Sequence, residues 1–341
     1  MKKPTQILVL CTVQTGIDTV AELLRRGAPI SGLTGLHPDK GDPEAVSGWV
    51  DVAAFAKHWN LPYYYARSYE LKSPEDRQMF EGIDFDLVLV SGWQRLVPQW
   101  LIERSKFGVL GGHGSPDGIH GGRGRSPQNW ALLLNCRRFD LSLFRITAGI
   151  DDGPILATRS FFYMDEDDIV VSYYRSSLAM AEMITEVLAD PAKLIGGSLQ
   201  PEDGLYYPQR LPEDGWVDWA LPLATIAAHC RALTRPYPGL KTSHDGVEIT
   251  LWRCHSFDDV IDGSPGTISA CFETGEFLVC CTDGRVLVRQ WEASDKLWRP
   301  APFAQLTGKP WPRQLQIIVD RHLRKYPDLK VSSRIMGLLK I

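Results

Sequence analysis

Short apolar runs alternate with amphipathic stretches through the first half of the chain. Compact apolar runs predict buried strands at Thr5–Cys11 and Phe85–Ser91. Further strands are predicted at Ile30–Leu36, Leu61–Tyr65, Phe107–Gly111, Leu141–Thr147 and Ile155–Phe162. Helical spacing and capping signals predict helices at Ile17–Arg26, Trp49–Trp59, Ser73–Gly82 and Asp167–Ala189. Because strands and helices alternate, we expect an α/β fold with a doubly wound, mostly parallel, Rossmann-like sheet.

The composition changes at Gly196–Pro212, which is rich in Gly, Pro and Tyr, and we place a linker there. A helix at Pro222–Ala232 and several short strands follow. The predicted strands are Lys241–Thr242, Val247–Arg253, Gly266–Phe272, Phe277–Cys281 and Arg285–Trp291. Asp245-Gly246 and Asp283-Gly284 are typical hairpin turns. We therefore predict an α/β domain over 1–200, a small OB-like β-barrel over 206–310 and a basic helical extension over 311–341.

The charge balance narrows the classes of partner. Lys and Arg total 37 while Asp and Glu total 41, so the formal net charge is −4. Proteins that bind nucleic acids or anionic membranes usually carry a basic excess or stripe, so DNA, tRNA and membrane partners are disfavoured. The seven cysteines include no C-x-x-C pair, which favours reduced thiols in a cytoplasmic protein over a cysteine metal site. The apolar run near the N-terminus is too short for a signal peptide or a membrane span.

The turn after the first strand carries no nucleotide-binding fingerprint. Thr12–Val20 reads TVQTGIDTV, not G-x-G-x-x-G, so a dinucleotide pyrophosphate has no glycine turn there. The sequence also contains neither a P-loop nor a G-x-S-x-G nucleophile elbow. These absences disfavour NAD enzymes, P-loop NTPases and serine hydrolases.

Candidate chemistry concentrates in two segments. Gly108–Trp130 is rich in glycine, and its His113 is predicted to follow the end of a strand, where open α/β sheets bind ligands. Asp151 stands in a glycine-bracketed turn at another strand boundary. Alone, each residue is more often a solvated histidine or an ordinary turn residue. Together at one edge of a sheet they would form a proton-transfer pair, in which the carboxylate orients the imidazole.

The two segments together resemble the N10-formyltetrahydrofolate-dependent formyltransferases, a family with acceptors that include methionyl-tRNA and amino sugars. That family carries Asn-x-His-x-Ser, then Arg-Gly-x-x-Pro-x-x-Trp-Ala, and later Gly-x-Asp-x-Gly-Pro. The matching residues here are His113, Ser115, Arg123, Gly124, Pro127, Trp130, Ala131, Gly149, Asp151, Gly153 and Pro154. The resemblance extends over about residues 5–290 and includes the predicted barrel.

The resemblance implies transfer of a formyl group from N10-formyltetrahydrofolate to an amine, without a metal. It implies a catalytic role for His113, Asp151 and Ser115, with His113 acting as a base or as a donor to the oxyanion. It places the folate beside Trp93, Leu96, Val97, Thr147, Gly149, Ile150 and Asp151. It places the acceptor near Gly111, Arg123 and Asn129.

One position departs from the family pattern. The catalytic Asn stands two residues before the His in the family, and here that position is Gly111. Loss of one oxyanion donor typically costs about 10²–10³ in rate. Ser115, Asn129 or a backbone N–H could compensate, or the acceptor could be intrinsically reactive. A formyl-folate hydrolase and a non-catalytic folate-binding relative also remain open. Relative to the usual family spacing, two extra residues separate His113 from Arg123, which changes the loop on the acceptor side.

We expect an active transferase whose acceptor is a small amine, such as a nucleotide-linked amino sugar or a hydroxylated ornithine of a siderophore. Methionyl-tRNA is the less favoured acceptor, because the net charge is −4 and the second domain is rich in acidic residues. The basic C-terminal stretch is open to two interpretations: a contact in a homodimer or with another partner, or a solvated charged face.

Overall fold

The computed structural model describes residues 3–41, 48–257 and 263–339, which form two compact units. The first unit comprises Met1–Arg123, Arg138–Phe162 and Tyr173–Gly204. The second comprises Gly124–Arg137, Tyr163–Ser172 and Leu205–Ile341. Two short segments that precede the predicted linker therefore pack within the second unit.

A seven-stranded sheet forms the centre of the first unit. Its strands are β1 (Ile7–Leu10), β2 (Ile30–Leu36), β3 (Tyr63–Ala66), β4 (Leu87–Val90), β5 (Val109–Ser115), β6 (Arg138–Arg145) and β7 (Ile155–Phe162). The order is β3-β2-β1-β4-β5-β6-β7. The first five strands in this order pair in parallel with one another. The last two, β6 and β7, pair antiparallel, so the mostly parallel sheet is confirmed.

Helices alternate with these strands along the chain or follow them, and one of them, α6, packs within the second unit. In chain order they are α1 (Gln14–Arg25), α2 (Val52–His58), α3 (Pro74–Glu81), α4 (Gln99–Arg104), α5 (Gly118–Gly121), α6 (Pro127–Leu133), α7 (Ile169–Ala189) and α8 (Pro191–Ile195). The predicted start of α3 is confirmed, since the Ser73 hydroxyl accepts the Asp76 backbone N–H at 3.0 Å and Pro74 lies in the first turn.

The sequence prediction for β5 was wrong at its end. It placed the end of the strand at Gly111, whereas β5 continues through His113 to Ser115. The parallel partner β4 ends at Val90, opposite Gly111, but β6 pairs with β5 as far as Ser115. The antiparallel strand β6 thus provides hydrogen-bond partners for the backbone of the glycine-rich end of β5. From the local sequence pattern alone, that end is expected to be a loop.

The glycines of β5 allow close packing on both sides. A Cβ at residue 112 would lie 2.5 Å from the Met180 sulfur of α7. A Cβ at residue 114 would lie 2.3 Å from the Asp140 carbonyl oxygen of β6. At residue 112 the neighbour is the flexible end of Met180, which can move, whereas at residue 114 it is backbone, so β5 needs glycine where it passes β6.

The second unit contains a small antiparallel sheet, as predicted. Its strands are β8 (Leu240–His244), β9 (Val247–Phe257), β10 (Ile268–Cys271), β11 (Phe277–Cys280) and β12 (Arg285–Ala293), in the order β8-β9-β12-β11-β10. Thr307 bridges to Ser243 of β8, and Gln305 bridges to Thr267 beside β10. Because one short segment pairs with both edges of the sheet, the sheet closes into a small barrel.

Local turn chemistry explains the first hairpin of this sheet. His244 pairs with Val247, so Asp245 and Gly246 alone form the loop between β8 and β9. Their φ angles are 49° and 82°. Positive φ at both positions is what a two-residue turn of type I′ requires, and Asp-Gly is a preferred pair for it.

Three further helices belong to the second unit: α9 (Leu223–Leu233), α10 (Trp311–Lys325) and α11 (Ser333–Leu338). The predicted C-terminal helix is present as α10, which buries Leu315, Ile318 and Val319. Arg321 of α10 also donates two hydrogen bonds, of 2.8 and 2.9 Å, to the buried Asp214 carboxylate. The helix is therefore packed, while residues 340–341 of the predicted extension lie outside the described part.

In the part of the chain that the structure describes, no helix is long and apolar enough to cross a membrane. Within the same residues, no group of three or more His, Cys, Asp or Glu side chains is arranged to hold a metal ion. The cysteines are free thiols, and burial raises the pKa of Cys11 to about 12.

The packing of β5 predicts that two glycine substitutions change the free energy of unfolding in opposite directions. Gly114→Ala should lower the free energy of unfolding by about 3 kcal/mol, because the new methyl group meets backbone atoms of β6. Gly337→Ala in α11 is the matched control, since its Cβ meets no atom within 4 Å, and it should raise stability by about 0.5 kcal/mol. Urea unfolding of both variants tests this, and equal stabilities would contradict the packing argument.

Candidate functional site

A cavity of about 130 Å³ lies beside the end of β4 in the first unit. The carboxyl ends of parallel strands are where α/β sheets usually bind ligands. The residues that line it are Val90, Gly92, Trp93, Arg95, Leu96, Val97, Gly111, Gly112, Phe144, Ile146, Gly149 and Asp151. The lining therefore includes six of the residues that the sequence predicted for a site: Trp93, Leu96, Val97, Gly111, Gly149 and Asp151.

The loop between β4 and α4 supplies one wall of the cavity. Trp93 and Val97 are buried, whereas Leu96 is 59% exposed. The Trp93 ring packs edge-on against Tyr69 with centroids 5.0 Å apart, and the Tyr69 hydroxyl accepts the Gln94 backbone N–H at 3.1 Å. The Trp93 indole N–H is buried and has no hydrogen-bond acceptor among the described residues. Such donors are nearly always satisfied in proteins, so this indole N–H is an exception within the wall.

His113 points one nitrogen at the backbone and the other at a carboxylate. Its Nε2 lies 2.8 Å from the Gly122 carbonyl oxygen. A carbonyl oxygen only accepts, so Nε2 must carry the proton of this hydrogen bond. Its Nδ1 lies 3.4 Å from Asp151 Oδ2, with side-chain exposures of 10% for His113 and 23% for Asp151. The structure thus brings together the histidine and the aspartate that the sequence placed at one edge of the sheet.

The loop that carries Asp151 has an unusual backbone. Asp151 has a φ of 51°, in the left-handed region that non-glycine residues rarely adopt. A Cβ at Gly153 would lie 1.8 Å from the Arg145 carbonyl oxygen, so the loop passes against β6 at a point where only glycine fits. The Thr147 hydroxyl donates to the Asp152 carboxylate at 2.5 Å. The loop between β6 and β7 is therefore held by specific contacts rather than by a strand ladder.

Gln200 is a polar residue at this site that the sequence analysis did not identify. Its side-chain N–H groups donate to the backbone carbonyls of Asp151 at 3.0 Å and of Gly153 at 2.7 Å. Gln200 lies in the segment that the composition indicated as a linker. A single glutamine there carries no periodicity or motif, so no sequence signal was available to find it.

Ser115 is fully buried at the end of β5, where the structure gives its hydroxyl two local partners. The hydroxyl donates to the Gly118 carbonyl oxygen at 2.7 Å and accepts the Asp117 backbone N–H at 3.0 Å. These bonds shape the turn after β5. The catalytic role predicted for Ser115 remains a prediction.

Gly111 borders the cavity, and Ile146 occupies the space beside it. A Cβ at residue 111 would lie 2.8 Å from Ile146 Cδ1 and 3.1 Å from Ile146 Cγ1. A carboxamide side chain at this position would therefore require Ile146 to move. Glycine at residue 111 leaves room for Ile146. The sequence showed that the family Asn is absent, but it did not show that Ile146 fills the space.

The other two residues predicted on the acceptor side make internal hydrogen bonds. Arg123 is 2% exposed and donates from one terminal nitrogen to Gln200 Oε1 at 3.2 Å and to the Pro201 carbonyl oxygen at 2.9 Å. Asn129 belongs to the second unit, where its amide donates to the Ala232 carbonyl oxygen at 2.6 Å. Thr147 and Ile150 are in the Asp151 loop, but neither is among the described residues that line the cavity.

Comparisons with known proteins bear on this arrangement. The sequence profile described as "Formyl transferase, C-terminal domain" matches residues 211–303. A methionyl-tRNA formyltransferase of Citrifermentans bemidjiense is 27% identical over 302 residues, which cover 87% of this chain and 91% of that protein. The similarity therefore extends over both units.

Two solved structures share the fold. HypX from Aquifex aeolicus, in complex with tetrahydrofolic acid, matches with a TM-score of 0.60 and 19% identity over 97% of this chain. The match covers 49% of the HypX chain, so the present chain spans about half of its length. An N-formyltransferase from Helicobacter canadensis, in complex with folinic acid and dTDP-3-aminofucose, matches with a TM-score of 0.55 and 12% identity. That match covers 84% of this chain and 99% of the other.

Residues 211–303 thus match the C-terminal domain of formyl transferases, the chain is similar over most of its length to a methionyl-tRNA formyltransferase, and its fold is shared with solved formyltransferase structures. These findings support a formyltransferase family for the chain.

Proposed function

We propose that the protein transfers a formyl group from N10-formyltetrahydrofolate to the amino group of a small molecule. The observation that carries the proposal is the pairing of His113 with Asp151 at 3.4 Å, with Asp151 also lining the cavity of the first unit. A proton-accepting pair at the edge of a cavity is what formyl transfer to an amine requires, since the amine must lose a proton as the new bond forms.

The lining of the cavity suits the flat ring system of a folate, while its volume of about 130 Å³ is smaller than the range of about 300–1,000 Å³ that is usual for sites that bury a whole ligand. Val90, Val97, Phe144 and Ile146 offer apolar surface to a flat ring system. When bound, the folate supplies a formyl group on a nitrogen that is a good leaving group.

The hydrogen bonds of His113 decide which nitrogen handles the proton. Nε2–H is engaged by the Gly122 carbonyl oxygen, so Nδ1 is the nitrogen that can accept a proton from the attacking amine. Asp151 Oδ2 faces that same nitrogen, and its negative charge stabilises the imidazolium that results. Asp151 is then the orienting member of the pair, and His113 Nδ1 is the group that gains and loses the proton.

Gly111 removes one means of stabilising negative charge on the formyl oxygen. With Ile146 in the space beside residue 111, no carboxamide donates there. Once protonated, His113 directs one N–H to Gly122 and the other to Asp151, so it contributes to stabilisation through the positive charge of its ring. We therefore assign both proton transfer and charge stabilisation to His113, with a rate lower by about 10²–10³ than a site with a second donor would give.

The charge of the chain supports a small acceptor. A formal net charge of −4 gives little general attraction for a polyanion. The structural relative from Helicobacter canadensis was solved with dTDP-3-aminofucose, a nucleotide-linked amino sugar, which is the acceptor class that the sequence analysis favoured. We propose an amine of this size as the acceptor.

Methionyl-tRNA is the second candidate acceptor, and one observation favours it. The curated relative that matches 87% of the chain is a methionyl-tRNA formyltransferase. In addition, α10 exposes Arg313, Arg324 and Lys325 on its solvent side.

Removal of the imidazole should abolish most of the turnover. With N10-formyltetrahydrofolate and an amino sugar, His113→Ala should lower kcat by about 10²–10⁴, the usual contribution of a general base. Tetrahydrofolate release is the readout, and His58→Ala, an exposed histidine of α2 in the same unit, is the control. An unchanged kcat in His113→Ala would remove the proposed base, and release without any amine would identify a hydrolase instead.

The tautomer of His113 is a second expectation that can be tested. In the neutral form the proton should reside on Nε2, because only that tautomer donates to the Gly122 carbonyl oxygen. Nitrogen-15 NMR of protein labelled in its histidine rings distinguishes the two tautomers, and His113→Ala assigns the signal. A proton on Nδ1 would contradict the proposed direction of proton transfer.

The two acceptors differ in their response to salt. A small amine should be formylated at a rate that changes less than about twofold between 50 and 200 mM salt, whereas binding of a tRNA through several phosphates would weaken by orders of magnitude. Assays with dTDP-linked 3-amino sugars and with methionyl-tRNA under both conditions decide between them. Formylation of methionyl-tRNA alone would overturn the small-amine proposal while leaving formyl transfer intact.

A further inference from the structure

Gln200 connects two loops that carry the proposed catalytic pair. Its carboxamide donates to the Asp151 and Gly153 carbonyl oxygens, at 3.0 and 2.7 Å. Its oxygen accepts a hydrogen bond from Arg123, the residue directly after Gly122. Gly122 in turn accepts the hydrogen bond from His113. The carboxamide therefore lies between the backbone that holds the imidazole and the backbone that carries the carboxylate.

Arg123 strengthens this arrangement through its charge. Its guanidinium is 2% exposed, so the positive charge is poorly screened where it meets Gln200 Oε1 at 3.2 Å. A cation on the oxygen side of an amide draws electron density away from the nitrogen and makes its N–H groups better donors. The same guanidinium donates to the Pro201 carbonyl oxygen at 2.9 Å, which holds the chain next to Gln200.

The Asp151 loop needs such support because of its backbone. Asp151 holds a φ of 51°, a conformation that persists only where surrounding contacts impose it. The two carbonyls that Gln200 engages belong to Asp151 itself and to the second residue after it. The direction of the Asp151 carboxylate thus depends on a segment far along the chain.

We propose that Gln200 is a positioning residue, which holds the Asp151 carboxylate against His113 Nδ1 for proton transfer. The proposal rests on the function proposed above for its kinetic consequence, but its structural consequence does not depend on that function. Gln200 acts through Asp151 and not by contact with the reacting groups.

The chemistry of the carboxamide makes the proposal specific. Gln200→Glu keeps the size of the side chain and the acceptor for Arg123, but it removes both donors and places a carboxylate against two carbonyl oxygens. Repulsion between these oxygens should displace the Asp151 loop. Gln305→Glu is the matched control, since Gln305 Nε2 donates to the Pro265 and Leu306 carbonyls and its Oε1 accepts the Thr267 hydroxyl.

The first test is a crystal structure of the Gln200→Glu variant. We expect the His113 Nε2 contact with Gly122 to persist, while the separation of His113 Nδ1 and Asp151 Oδ2 rises by at least about 1 Å from 3.4 Å. A separation that stays at 3.4 Å overturns the proposal, whatever the enzyme is found to catalyse.

The second test is kinetic. Gln200→Glu should lower kcat by about 10- to 100-fold, the cost of a misplacement of about 1 Å, with a change of less than about threefold in KM for the folate. Gln305→Glu should leave both values unchanged. Thermal unfolding of the two variants shows whether the loss follows stability, and a Gln200→Glu variant that loses activity only in proportion to its unfolded fraction overturns the proposal.

A double-mutant cycle identifies the route of the effect. Asp151→Asn suits the left-handed backbone and removes the negative charge. If Gln200 acts through Asp151, Gln200→Glu should reduce kcat less than about twofold in the Asp151→Asn background. Full additivity of the two losses overturns the proposal. A wild-type protein without formyl transfer overturns the proposed function instead, and the crystal structure then decides the role of Gln200 alone.

Discussion

The close approach of β5 to its neighbours is the constraint on which the site depends. The strand passes within contact of Met180 in α7 on one side and of the β6 backbone on the other, and glycines at 112 and 114 make both contacts sterically feasible. Pairing with β6 carries β5 beyond the end of β4, so His113 lies on a rigid strand at the carboxyl edge of the parallel sheet. The imidazole therefore meets a fixed carbonyl at Gly122, and the Asp151 loop must be held to suit it. The strand β5, the Gly122 backbone and the Asp151 loop together orient Nδ1 of His113.

Much of this could be predicted from the sequence, and the limits have physical causes. The strands β2 and β7 were predicted to the residue, because their apolar runs end at clear turn signals. The pairing of His113 with Asp151 followed from two motifs that resemble one family. The end of β5 could not be predicted, since glycines favour loops locally and only the antiparallel neighbour makes them a strand. Gln200 and Ile146 were missed for the same reason: each acts through a contact across space that no local pattern records.

The cavity wall shows how the absence of one side chain is accommodated. At residue 111 the family pattern has a carboxamide, and here an isoleucine from the end of β6 fills the adjacent volume. The wall is more apolar as a result, and the polar chemistry is concentrated on His113 and Asp151. A site of this kind suits a reaction in which one imidazole performs two tasks, at the cost of a slower chemical step.

The two units are interleaved along the chain, which limits how such a protein can be divided or recombined. Gly124–Arg137 and Tyr163–Ser172 are encoded among segments of the first unit but pack within the second. A fragment that ends at the linker would carry α6 without α9 and Trp311, which pack against it. An exchange of the second unit between relatives would leave α6 against a surface for which it was not selected. Such an exchange therefore has to include the two segments that precede the linker.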